Sequence, residues 1–347
     1  MPRAAGPRTR AVVGVLRRLV LLAGLALALR YAWIHETQDP VRTAGDPPQE
    51  LTIRAGQSAE SIGADLHALG LVRHPALFRA LVFARGDGAR LKAGEYVFDD
   101  TLSLDGIVDR LVRGETARID VTFPEGKTLE EMADLAAARG VDRAAFRRAA
   151  LDPGPMRDLD PDARNLEGYL FPDTYDVTRR PDARRLVMRM VERFRDVVEP
   201  MRTRLEGRGL TLRQLVTLAS IVELETGRPE ERGRIAAVFL NRLAKGMLLQ
   251  TDPTVIYALR LKGTWDGNIR KEDLQMDSPY NTYRNAGLPP GPIASPGREA
   301  LHAVIEPADT RALYFVSRND GTHEFSDTLA EHERAVTRFQ RRRSGRS

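Results

Sequence analysis

Two glutamates, Glu223 and Glu225, stand near the end of an otherwise apolar run, TLRQLVTLASIVELETG (residues 211–227). An ionisable group in such surroundings needs a physical reason. A carboxyl in an apolar cleft is desolvated, which raises its pKa and keeps it protonated near neutrality. That is the requirement for a general acid that protonates a glycosidic oxygen. Thr211 is a suitable helix N-cap and Gly227 a suitable stop, so the run predicts a helix of about four turns. At ~100° per residue, Leu212, Val216 and Ala219 lie within about 40° of Glu223, whereas Glu225 points to the far side with Leu218 and Ile221. Glu223 is therefore the leading candidate and Glu225 the alternative acid. Either could instead pair with an arginine, or emerge into solvent from the last turn.

Three further segments carry polar and aromatic residues in loops. LEGYLFPDTY (166–175) places Glu167 and Tyr175 about a Pro-Asp turn, and rings beside carboxylates suit a sugar groove as well as they suit ordinary packing. A helix opened by Pro229 contains Asn241 and closes at Gly246; it leads into GMLLQTDPTVIYAL (246–259), which holds Gln250 and Asp252. YNTYRNAGLPPGPIASPG (280–297) is a long loop bearing Tyr280, Asn281 and Thr282, and loops of this length inside a compact domain tend to be functional. Glu167, Tyr175, Asn241, Gln250, Asp252, Tyr280, Asn281 and Thr282 are thus candidates for gripping a substrate or orienting Glu223. Asp252-Pro253 could equally be a helix start.

Other chemistries find no residues. The chain has no cysteine, its six histidines lack metal-ligand spacing, and it contains neither a phosphate-cradling Gly-Lys-Ser/Thr loop nor a Gly-x-Ser-x-Gly elbow. No metal and no cofactor is expected. The net charge of +5 could suggest nucleic acid, but eleven arginines lie in the two tails: Arg3, Arg8, Arg10, Arg17, Arg18 and Arg30, then Arg338, Arg341, Arg342, Arg343 and Arg346. Removing these from 53 basic residues leaves 42 against 48 acids, a body of about −6, which argues against nucleic acid as a partner.

The elements that must position these residues follow a membrane segment. Residues 1–18 form a basic tail and 19–34 an apolar run of roughly 16 residues, near the ~20 that span a bilayer core. The preceding arginines predict the N-terminus inside the cytoplasm and the remainder outside, and Tyr31 and Trp33 suit the interface. A cleaved signal peptide is the competing reading, although Arg30-Tyr31-Ala32-Trp33 is a poor cleavage site. Residues 35–50 read as a linker. Within 51–117 the pattern is strand, two helices, strand and a closing helix. Ser58 caps the first helix (Ile62, Leu66, Leu69); the second follows His74-Pro75, with Leu77, Leu81 and Phe83 as its apolar positions. This βααβ order, with IRAGQSAESIG, is similar to a LysM-type glycan-binding module; a plain packing domain would have the same order. Residues 118–337 form a larger mixed α+β domain, and 338–347 a basic tail. The expected class is α+β, with the glutamate on a buried helix.

ASIVELET, NRLAKGMLLQTDPTVIY, YNTYRNAGLPPGPIASPG and LYFVSRNDGTHEFSDTLAEHE together closely resemble the membrane-bound endolytic murein transglycosylases, the MltG/YceG-like family. The resemblance runs from the N-terminal anchor to about His332. It implies a single catalytic glutamate, which falls on Glu223, and an outward-facing domain that cleaves within nascent peptidoglycan strands beside peptidoglycan synthases. It further implies that Glu223 first protonates the oxygen leaving C1 of N-acetylmuramic acid, then deprotonates the C6 hydroxyl that closes a 1,6-anhydro ring. The family often carries lysine where this chain has Leu224. A lysozyme-like muramidase and a non-catalytic peptidoglycan-binding scaffold of the envelope are the alternative functions.

Overall fold

In the computed structural model, residues 7–43, 45–98, 101–178 and 181–341 are described. Arg3 of the N-terminal tail and Arg342, Arg343 and Arg346 of the C-terminal tail lie outside them. The architecture is mixed α+β, and the chain divides into two compact units, Met1–Arg118 and Ile119–Ser347.

The first unit begins with α1 (Pro7–Gln38), longer than the predicted span. Within it Arg18–Gln38 is long and apolar enough to cross a membrane, and its apolar residues from Leu19 to Ile34 are exposed. Then follow β1 (Gln49–Ile53), α2 (Ala59–Ala68), α3 (Pro75–Arg85), β2 (Gly94–Phe98) and α4 (Leu104–Arg113). The two strands pair antiparallel, Leu51 opposite Tyr96, so the βααβ order holds. Ser58 caps α2 by accepting from the Ser61 N–H at 3.2 Å, and Gly114 ends α4 in the left-handed conformation. One apolar position differs. Phe83 is 88% exposed, because the buried face of α3 is Phe78, Leu81 and Val82, and Phe83 lies about 200° from Leu81 on the wheel.

The second unit runs β3 (Arg118–Thr122), α5 (Leu129–Ala137), α6 (Arg143–Ala150), β4 (Thr174–Thr178), α7 (Ala183–Val198), α8 (Arg202–Gly207), α9 (Leu212–Glu225), α10 (Pro229–Ala244), α11 (Asp252–Lys262), α12 (Arg298–Ile305), β5 (Tyr314–Ser317), β6 (His323–Ser326) and α13 (Leu329–Val336). Its strands form separate two-stranded sheets, β3 with β4 and β5 with β6, so helix packing supplies the core. The centre is α9, which packs against α10, α11 and α12 and buries every residue from Leu215 to Val222. A capping box starts it: the Thr211 hydroxyl accepts from the Gln214 N–H at 3.2 Å, and the Gln214 side chain accepts from the Thr211 N–H at 2.8 Å. The helix stops just before Gly227, as expected, with Thr226 as its extended C-cap. Ser220, inside the helix, accepts from the Ile293 N–H at 3.1 Å and ties the long proline-rich loop to the core.

Candidate active site

Glu223 occupies the last turn of α9, its side chain 5% exposed. Its Oε1 accepts from Arg232 Nη2 at 2.8 Å and its Oε2 from the Gly297 N–H at 2.9 Å. Arg232 comes from the first turns of α10, and Gly297 from the residue that precedes α12. Three elements thus converge on one carboxylate. Both oxygens are engaged as acceptors, one from a guanidinium and one from a backbone amide. The surroundings are thus partly polar, where the helix pattern alone suggests an apolar pocket. The reason lies in residues remote in sequence, which no helical wheel includes.

Two turns frame this carboxylate. Pro124-Glu125-Gly126 follows β3, and Ser295-Pro296-Gly297 precedes α12. They are stitched together by two hydrogen bonds: the Gly126 N–H donates to Ser295 O and the Ser295 N–H to Lys127 O, each at 2.9 Å. Gly126 has φ +74°, and a Cβ there would stand 3.2 Å from Leu224 Cδ2 and 3.8 Å from Glu223 Cγ, so this turn lies directly against the glutamate. At Gly297 a Cβ would overlap the Glu125 carboxylate, which rests on that bare backbone. Glu125 Oε2 also lies 3.6 Å from Arg232 Nη2, so a single guanidinium nitrogen faces both carboxylates. Burial raises the pKa of Glu125, the neighbouring Glu223 and Glu299 charges add to the rise, and Arg232 opposes it. The Arg232 Nε is buried without a hydrogen-bond partner.

Glu225 sits across the helix, as the wheel requires. It accepts a short hydrogen bond from the Thr251 hydroxyl. Burial pushes its pKa up to about 7, against the Thr251 bond and the more distant His323 and Arg242 charges. Beside Leu224, itself exposed, opens a cavity of about 230 Å³ lined by Gly126, Lys127, Ile256, Tyr257 and Arg260 among others.

The eight substrate-groove candidates divide. Glu167 is buried, accepting from the Leu129 N–H at 2.9 Å and the Tyr257 hydroxyl at 3.1 Å, and burial pushes its pKa up to about 8. Tyr175 is in the core, with its hydroxyl on Phe171 O at 2.8 Å and its ring edge-on to Phe123. Asn241 donates to Thr310 O and Ala312 O, and so anchors the segment leading into β5. Asn281 is fully buried and gives its amide to Leu274 O and Met276 O. Thr282 accepts from the Thr251 N–H at 3.1 Å. All five spend polar groups on bonds within the protein: Glu167, Asn281 and Thr282 in irregular segments that must satisfy their own backbone, Tyr175 from β4 and Asn241 from α10. In this structure they frame the site. The other three are accessible. Gln250 is exposed with φ +50°, Asp252 is the first residue of α11 and accepts from the Tyr283 hydroxyl at 2.6 Å, and the Tyr280 ring lies 4.9 Å from that of Tyr257. Glu125, Arg232 and Gly297, the groups around Glu223, were not among the candidates. The only sequence signal for them is the pair of proline–glycine turns, PEG and SPG.

Comparison with known proteins agrees with this framework. A profile of the YceG-like family matches residues 51–338. A Bacillus subtilis protein described as an endolytic murein transglycosylase is 32% identical over 323 residues, 87% of each chain. A Streptococcus pneumoniae protein of the same description is 29% identical over 93% of this chain, which spans 64% of its length. The crystal structure of a yceG-like protein from Listeria monocytogenes superposes with a TM-score of 0.58 at 33% identity, over 83% of this chain and 98% of that one. With the family profile spanning both units and identity near a third along most of the length, this chain belongs to the YceG-like family.

Proposed function

We propose that the chain is an endolytic murein transglycosylase, which cuts the bond between N-acetylmuramic acid and N-acetylglucosamine within peptidoglycan strands and leaves 1,6-anhydro ends. The observation that carries this reading is the clamped carboxylate of Glu223, in a chain whose relatives bear that activity in their names. The reaction exchanges one C1–O bond for another within the same sugar. The C6 hydroxyl is the nucleophile, so its effective concentration is high and no water has to be positioned. What the protein must supply is a base for that hydroxyl, a proton for the leaving oxygen and a frame that holds both. Glu223 is the base, oriented by Arg232 and the Gly297 N–H. As the one carboxylate of the family mechanism it would also deliver the first proton, after parting from one of its two donors.

The cavity beside Leu224 holds a neighbouring sugar, its apolar face on Ile256 and Tyr257, while Gln250, Asp252 and Tyr280 contact the strand from the accessible rim. Residues 51–117, with their βααβ order, serve as a LysM-like glycan-binding module, and α1 anchors the chain in the inner membrane with the N-terminus in the cytoplasm and residues 51–337 outside it. Peptidoglycan synthases, which make the nascent strands, are its partners. A lysozyme-like muramidase would cut the same bond but yield reducing ends. Digestion of purified sacculi, with mass spectrometry of the released muropeptides, separates the two. Anhydro-ended products that vanish in Glu223→Gln support the proposal. Reducing ends, or full release by Glu223→Gln, would overturn it, and no release by the wild-type protein would favour a binding scaffold.

A further inference from the structure

The cavity beside Leu224 has two walls of different character. On one side Pro253, Ile256, Tyr257 and Arg260 share a single stripe of α11, apolar for its first turns and cationic at its end. The facing wall is the turn from Gly126 to Thr128, with Glu131 of α5 behind it. Lys127, the middle residue of that turn, is half-buried, and its side chain makes no hydrogen bond or ion pair with any described residue. Its backbone, by contrast, is fixed: the Gly126 N–H donates to Ser295 O and the Ser295 N–H to Lys127 O. The acid on this wall is already committed. Glu131 accepts from the Thr128 N–H at 2.9 Å and the Thr128 hydroxyl at 3.0 Å, and it pairs with Arg260 at 3.0 Å. Lys127 acts on it only from a distance. The cavity therefore offers a ligand one apolar face, one uncommitted ammonium and, at the rim, a guanidinium that is 39% exposed.

We propose that Lys127, with Arg260 beside it, binds a carboxylate on the arm that leaves C3 of N-acetylmuramic acid, so that the cavity sets the register of the strand. The inference rests on the transglycosylase reading above. The two sugars of the strand alternate and share the acetamido group and the C6 hydroxyl. They differ only at C3, where the muramyl residue carries a lactyl ether and the peptide attached to it. An enzyme that must cut one of two alternating bonds has to read that difference. The sugar rings are neutral, and the charges of an unmodified strand lie on these arms. The cavity is also in the right place: Gly126 adjoins Leu224, which lines it, and Glu223, which carries the chemistry. Against an apolar wall, partly withdrawn from water, a single ion pair counts for more than it would in open solvent. The lysine suits this task because its backbone is held while its charge stays mobile enough to follow a flexible arm.

The test uses three short synthetic strands that differ only in the arm: L-alanyl-D-glutamate on each lactyl group, the same dipeptide with its carboxyls as amides, and the bare lactate. For the wild-type protein, KM on the amidated strand should be roughly 5–20-fold above that on the charged one, the worth of an ion pair or charge-assisted hydrogen bond. Lys127→Met should raise KM on the charged strand by the same factor and leave the amidated strand unchanged. It should melt with the wild type, because the side chain has no bond to lose. Lys127→Arg should keep the preference. The bare-lactate strand separates the two sources of the carboxylate: a KM like that of the charged strand assigns it to the lactyl group, and one like that of the amidated strand assigns it to the peptide. Equal wild-type KM values on charged and amidated strands would overturn the subsite. So would a Lys127→Met variant that loses as much on the amidated strand as on the charged one. A wild-type protein that releases no anhydro ends from these strands or from sacculi would instead overturn the underlying reading, so the two failures are distinct.

Discussion

Replacing Glu167 by glutamine should change how stability depends on pH and leave the chemistry alone. Glu167 is buried at the meeting of α5 and α11, and its pKa is pushed up to about 8 from 4.5 by loss of solvent, more than the Leu129 N–H and Tyr257 hydroxyl bonds lower it. The native protein therefore holds a proton that the unfolded chain has released. Stability from this group is full below about pH 4.5 and is lost as pH rises toward about 8. Each pKa unit corresponds to ~1.4 kcal/mol, so this carboxyl makes the fold roughly 3–5 kcal/mol less stable at pH 8 than at pH 4.5. Glutamine has the same shape and stays neutral, so Glu167→Gln should gain about that amount at pH 8 and nothing at pH 4.5. Urea unfolding at half-unit pH steps measures it. A residual slope from Glu225, raised to about 7 by the same mechanism, should remain. If the variant keeps the full wild-type slope, or raises KM for glycan strands, the assignment of Glu167 to the frame is wrong.

Arg232→Met should leave Glu223 buried without its counter-ion, costing about 3–5 kcal/mol by thermal or urea unfolding, the range for breaking a buried pair, with loss of strand cleavage. Gly168→Ala should destabilise by about 3 kcal/mol, because φ is +81° and the new methyl would press on Pro292 Cγ at 2.7 Å and Val216 Cγ1 at 2.9 Å. Gly297→Ala, at an ordinary φ of −77°, should melt within about 1 kcal/mol of wild type. Its methyl displaces the movable Glu125 carboxylate, however, so kcat on strands should fall more than KM changes. Tyr175→Phe should lose about 1 kcal/mol with the bond to Phe171 O and leave KM unaltered, as measured by unfolding and steady-state kinetics.

Periodicity and capping placed most elements correctly. Ser58, Thr211, Pro229 and Gly114 act as their positions suggest, because caps are local interactions written in four or five consecutive residues. The separation of Glu223 from Glu225 was legible for the same reason, being a matter of helix geometry alone. The surroundings of Glu223 were not. Arg232 is one of two arginines in PEERGR, and nothing nearby marks it as the one turned inward. Glu125 and Gly297 meet only through tertiary packing, and chain distance hides them. The loop amides misled in the opposite direction. Asn281 and Thr282 look like sugar ligands, but a buried loop uses such groups first to satisfy its own carbonyl and amide groups. In α3, grouping Phe83 with Leu77 and Leu81 as apolar positions missed that the buried spacing is Phe78, Leu81 and Val82.

The pair of hydrogen bonds that Ser295 makes with Gly126 and Lys127 joins the first turn of the second unit to a turn shortly before its last helices. Such a long-range closure cannot form until the chain through Gly297 has been made. Every shorter chain that reaches past α10 already carries Glu223, Glu125 and Arg232, yet lacks the geometry that joins them to Gly297. A half-made chain therefore holds the glutamate without its clamp, and the clamp is acquired late in synthesis.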